Sequence, residues 1–171
     1  MSCTLSAGYQ LGCKDSVGGI RTVYISNFSD NETYALDANS QITGVTSGAT
    51  YYKFEMRPQT AGYNETINAS VENGTLFHTQ ELTLAFDKLD VSLRNQIYLL
   101  SQAQMRVIIL DQNGTYRLLG RINGADVTAG TLPTGTAYGD RNGAELTITS
   151  YEPSPANFMS AAAFGTLTIS N

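Results

Sequence analysis

The chain has 171 residues, 42% of them hydrophobic, with 10 Lys and Arg against 15 Asp and Glu for a net charge of −5. That length fits a single domain with a sizeable core, roughly 70% of the unfolded surface being buried on folding. The acidic balance excludes a protein that wraps nucleic acid through clustered Lys and Arg, though not a surface past which nucleic acid slides.

Charged residues make up only 15% of the chain, below the usual quarter, which points to a surface largely covered by neighbouring subunits. Sixteen Gly, ten Tyr and no Trp are the composition of a strand-and-turn protein. The first residues, MSCTLSAGYQLGCKD, have neither a basic n-region nor an apolar run long enough for a signal peptide, and no stretch is long and apolar enough for a membrane helix. The expectation is a protein made and folded in a cytoplasm. On that expectation the six Asn-x-Ser/Thr sequons beginning at Asn27, Asn31, Asn64, Asn68, Asn73 and Asn113 are read as Asn/Thr-rich turns rather than glycosylation sites.

In chain order, residues 1–19 are predicted as an N-terminal arm. Cys3 and Cys13 within it could close a small disulfide loop, which a reducing cytoplasm disfavours. Gly18-Gly19 lacks the lysine and following helix of a phosphate loop. Residues 20–26 (IRTVYIS) form the first clear strand, and 33–36 and 41–45 are weaker ones. Tyr51 to Arg57 (YYKFEMR) alternates, Pro58 to Tyr63 breaks the pattern, and Asn64 to Val71 (NETINASV) resumes it with small polar side chains. The reading is a long protruding hairpin over 51–71, too polar for a core, whose tip residues Arg57, Pro58, Gln59, Thr60, Ala61, Gly62, Tyr63 and Asn64 are candidate inter-subunit contacts. Thr75 to Phe86 (TLFHTQELTLAF) alternates over a dozen residues, with Leu76, His78, Gln80, Leu82, Leu84 and Phe86 on one face. The period then changes: Leu89, Leu93, Ile97 and Leu100 share a helical face behind an Asp90 N-cap, predicting one helix over about 90–103 and no other. Residues 105–110 (MRVIIL), the turn Asp111-Gln112-Asn113-Gly114 and 115–121 read as a second hairpin. Residues 122–138 read as a long Gly-rich loop, 139–143 (GDRNG) as a compact turn, 144–151 as a strand, and 166–170 as a last strand.

Candidate chemistry is sparse. His78 is in mid-strand with no Ser or Cys motif and reads as a structural histidine. Asp126, Asp140 and Glu145 lie near Gly-rich turns, where carboxylates commonly bond local backbone N–H groups; a glycosidase pair would be their catalytic alternative. The run Asp111 to Gly114 lacks the further ligands of a calcium loop, and a zinc site is disfavoured by a single histidine. No cofactor or metal is expected, and no enzyme.

The order of these parts resembles the tail tube proteins of long-tailed bacteriophages and, by extension, the ring proteins of contractile injection and type VI secretion systems. The residues that carry it are Lys53 to Phe86, the helix Val91 to Ala103, Gln112-Asn113-Gly114-Thr115-Tyr116-Arg117-Leu118-Leu119-Gly120, and Pro133 to Gly143 ahead of Ala144 to Ser150. The resemblance spans roughly residues 50–155 and rests on turn-and-strand patterns, not on a catalytic signature. It implies an antiparallel β-sandwich or barrel with one flanking helix, forming hexameric rings that stack into a tube in the virion tail. The partners it implies are further copies of the chain, other tail proteins, and DNA that passes through the lumen without sequence-specific binding; no membrane is involved. An acidic lumen would let DNA pass without sticking. A capsid decoration or head–tail connector protein would share many of these traits, and a β-sandwich module for carbohydrate or a cell-surface receptor is the alternative from another class.

Overall fold

Residues 20–27 (IRTVYISN) form a strand buried on both faces, with Val23 and Ile25 on one and Thr22, Tyr24 and Ser26 on the other. In the computed structural model, which describes residues 7–171, this strand β1 (Ile20–Asn27) pairs antiparallel with β4 (Thr50–Glu55) on one side and β7 (Met105–Asp111) on the other. Around them an eight-stranded sheet is ordered β12 (Thr168–Ser170), β4, β1, β7, β8 (Tyr116–Leu119), β11 (Asn157–Met159), β3 (Ile42–Thr46) and β2 (Thr33–Leu36). All its pairs are antiparallel except β11 with β3 and β12 with β4. A second sheet of four strands runs β5 (Ala61–Ser70), β6 (Thr75–Phe86), β10 (Ala144–Glu152), β9 (Asp126–Thr131), antiparallel throughout. The fold is mainly β with a flanking helix, as the residue periodicities predict.

Period two sends alternate residues of the central strands to two different cores. Val23, Ile25, Val107, Ile109 and Leu119 meet Leu82, Leu84 and Ile148 of the four-stranded sheet, which makes the sandwich core. Tyr24, Ile108 and Leu118 point the other way, into a second core shared with Ile42, Tyr51, Met159 and Ala163. Strands from both ends of the eight-stranded sheet contribute to this second core, so that sheet curls round on itself as an open barrel. A single turn of helix, α2 (Ala161–Phe164), plugs it, with Phe164 stacked 4.2 Å from the Tyr116 ring.

Helix α1 (Val91–Leu100) starts at Asp90, whose Oδ1 accepts from the Leu93 N–H at 2.7 Å. Its Ile97 is buried, and Leu89 and Leu93 are half-buried, against Phe86, Ala144, Leu146 and Val127 at one end of the small sheet. The helix ends at Leu100, three residues before the expected boundary. Residues 7–19 are exposed and without regular structure, tied down at their root by Asn113: its Oδ1 accepts from Val17 N–H and its Nδ2 donates to Val17 O, both at 2.9 Å.

Three expectations are overturned. Residues 51–71 do not form a hairpin: Tyr52 to Glu55 pair with β1, while Ala61 to Ser70 pair in unbroken register with Leu84 to Thr75 of β6. The polar strand finds its partner in the strand that follows, so the long hairpin is β5–β6, with its turn at 71–74. The supposed loop 122–138 contains β9, joined to β10 through a bulge at Thr147/Ile148 that interrupts the alternation. And α2 is a second helix, too short for a periodicity to register.

Candidate assembly site

The residues expected at a free hairpin tip instead carry the chain from one sheet to the other. Arg57 to Thr60 make a turn in which Thr60 donates to Arg57 O through both its N–H (3.3 Å) and its hydroxyl (2.7 Å), and Arg57 pairs with Asp87 at 2.9 Å. Ala61 is buried in the sandwich core, Gly62 O accepts from the Thr83 hydroxyl, and the Tyr63 hydroxyl donates to Glu65 at 2.9 Å. Burial and that acceptor hold the Tyr63 phenol well above its ordinary pKa. Arg57, Pro58, Gln59 and Asn64 are exposed; Thr60 to Tyr63 are largely used up within the subunit.

What the fold does expose is most of the outer face of the four-stranded sheet, Thr149 alone on it being buried, beside the Thr128 hydroxyl at 2.8 Å. In register across it lie Gly62, Thr83, Thr147 and Ala129, then Asn64, Glu81, Thr149 and Asp126, then Thr66, Thr79 and Tyr151. The four strands together contain Glu65, Glu81, Asp126, Glu145 and Glu152 and neither Lys nor Arg. Glu81, Asp126 and Glu145 stand exposed on the outer face, while Glu65 and Glu152 serve the inside. Glu152 accepts from the Asn123 N–H at 2.8 Å and the Ile122 N–H at 3.0 Å, fixing the loop before β9. Among the described residues, β5 and β9 are each paired on one side only, so the sheet has two open edges.

No known protein-family model matches the chain, and no curated protein does.

The remaining candidates take local roles. His78 is buried with its Nδ1 3.1 Å from Glu65 Oε1, but the approach is not aligned for a hydrogen bond, so the contact is one of proximity. Asp140 accepts from the N–H groups of Ala137 (2.8 Å) and Thr136 (2.9 Å), which hold its carboxyl below the usual carboxylate range and shape the turn before β10. Glu145 pairs with Arg141 at 2.5 Å. Asp126 stands at the edge strand. Among the described residues, no group of three or more His, Cys, Asp and Glu converges as metal ligands would. Cys13 carries an exposed thiol, and Cys3 lies outside the described residues. Among the described residues, no helix is long and apolar enough to cross a membrane.

Sequence reasoning missed the most elaborate polar cluster. Arg106 and Glu32, 4% and 1% exposed at their side chains, pair at 2.7 Å inside the barrel. Glu32 also accepts from Tyr34 (2.5 Å), Tyr51 (3.2 Å) and Ser47, while Arg106 donates to Ser29 O and Arg121 O beneath the Phe28 ring. Because Tyr34 is on β2 and Tyr51 on β4, this one carboxylate ties together the two ends of the curled sheet. Burial is the main reason the Tyr51 phenol is pushed up to about 12, and burial raises Tyr34 further. The signal was faint: an Arg inside the apolar run MRVIIL, on the same strand face as Ile108.

Proposed function

We propose that this chain is a structural subunit of a virion, a tail tube protein that assembles into hexameric rings stacked along a channel for DNA. The observation that carries the reading is the asymmetry of charge between the sheets. The strands of the small sheet hold five carboxylates, three of them on the outer face, and neither Lys nor Arg, whereas those of the large one carry Arg21, Lys53, Arg106 and Arg117 against only Glu55 and Asp111. A face dressed with Thr, Asn and carboxylates, with Arg141 at its margin already paired to Glu145 and no cluster of cations to displace the counterions of a phosphate backbone, suits a wall past which DNA slides. The open edges β5 and β9 are on opposite sides of that face, so strand pairing between copies would extend it into a continuous lining. Arg57, Pro58, Gln59 and Asn64, beside the β5 edge, belong to the proposed subunit contacts. The role is one of assembly and conduction rather than catalysis, in a virion tail made in the host cytoplasm, with other tail proteins as end partners.

Negative-stain electron microscopy of the purified protein tests this. Rings or tubes with a central channel are the expected result; monodisperse small particles that bind glycan would overturn it in favour of a binding module.

A further inference from the structure

Two features at opposite ends of the small sheet are left without a partner by the fold. β6 has its last β10 partner at His78, opposite Glu152, so 67–77 continues as a two-stranded ribbon beyond the sheet. Ile67 and Leu76 are on the same strand face as Leu82 and Leu84 but past the end of the core, 68% and 58% exposed, and Val71 in the turn is 97% exposed. A two-stranded ribbon is marginal by itself, and exposed apolar side chains grouped on one call for cover. At the other end, beside Phe86, a groove of about 760 Å³ runs between α1 and the strands β1 and β4. Its walls include Ile25, Tyr52, Phe54, Leu99 and Leu100. The two features are a strand length apart: β6 has 12 residues, about 40 Å at ~3.4 Å each.

Their charges match. Glu72 is the one charged residue in 67–77, and Lys53 is the one charged side chain among the described residues lining the groove. Lys53 is held by Glu55 at 2.5 Å, and an ammonium has three donors, so it can meet a second carboxylate.

We propose that the β5–β6 ribbon tip of one copy seats in the α1–β1–β4 groove of a second copy, with Ile67, Val71 and Leu76 against its apolar walls and Glu72 at Lys53. A protrusion and a groove on different surfaces of one chain make a heterologous contact, which repeats head to tail. Since the two lie at opposite ends of β6, the repeat runs along the strand direction. The inference rests on the self-assembly reading and adds which surfaces stack.

The test replaces Cys3 and Cys13 by Ser and places Val71→Cys in one preparation and Gln96→Cys in another, Gln96 lining the groove. A short bis-maleimide should join the two preparations into mixed dimers, and should join a chain carrying both substitutions into a ladder of oligomers. Tyr98→Cys, exposed on α1 outside the groove, should give neither when it replaces Gln96→Cys. Independently, Glu72→Lys should lower the sedimenting fraction at least about tenfold by setting like charges together, and Lys53→Glu in the same chain should restore it. Assembly in sedimentation without the Val71–Gln96 cross-link overturns the docking and leaves the ring reading standing. A chain that stays monomeric at every concentration overturns both.

Discussion

Glu32 and Arg106 are 74 positions apart in sequence, yet they meet where Glu32 also bonds Tyr34 and Tyr51 from the two ends of the curled sheet. Each alone would be an ion stripped of water, and the pair is tolerated because every side of it is hydrogen-bonded. Arg106→Met leaves Glu32 buried without its counter-charge and should cost about 3–5 kcal/mol in denaturant unfolding. Replacing both, Arg106→Met with Glu32→Leu, should recover much of that loss, because the stranded charge is gone. Buried phenols, two at this pair and Tyr63 beside Glu65, give the molecule an alkaline limit. Tyr51, pushed up to about 12, and Tyr34 and Tyr63, raised beyond it, hold their protons more tightly folded than unfolded. Their contribution is therefore complete below the ordinary phenol pKa of about 10 and is lost as the pH climbs through the folded values. Melting temperature should be flat below that pH and fall steeply above it, with a shallower fall in Tyr51→Phe. A melting curve unaffected by pH in that window would contradict the burial of these rings.

At the level of elements, α1 shows how far periodicity reaches. The spacing of Leu89, Leu93, Ile97 and Leu100 picks out the face that packs on the small sheet, but only Ile97 is buried. Ile97→Asp should therefore abolish folding, whereas Leu93→Asp, half-exposed, should leave a destabilised but folded protein. Arg94→Ala and Gln96→Ala, on the exposed face, should stay within ~0.5 kcal/mol of the parent. Equal melting temperatures for all four would refute the assigned face. The same logic explains what the sequence hides. Alternation tells which way a side chain points, not which strand it lies beside. Thus Tyr51 to Glu55 and Asn64 to Ser70 are legible as strands, yet proximity along the chain does not pair them with each other, and the sheets separate them. β9 is concealed because DVTAGT offers small side chains and a bulge rather than a period, its inward residue Val127 being the sole large apolar one. The outer face of the small sheet was legible all along in Thr and Asn at alternate positions; its meaning as a face required the register.

For the whole molecule the question is what a sheet whose Lys, Arg, Asp and Glu content is acidic alone would do in the proposed assembly. Glu81 and Thr83 are neighbouring outward positions on β6, both exposed. Substituting both by Lys should shift monomer stability by no more than ~0.5 kcal/mol, since surface positions away from caps and cores are tolerant. The change per subunit is small, but the proposed ring would repeat it around one channel, where low-dielectric walls would focus the field on DNA phosphates within reach. Assembled wild-type protein should release duplex DNA at moderate salt, while the Glu81→Lys, Thr83→Lys assembly should retain it. The retained fraction should fall with salt, with a slope in log affinity against log salt of about 0.9 for each phosphate neutralised. Nuclease protection of DNA incubated with the assemblies over a salt series reads this directly. Should both assemblies protect DNA equally, with the same salt slope, the Thr/Asn face of β5, β6, β9 and β10 does not line the channel, and the charge asymmetry between the two sheets must be explained by some other contact.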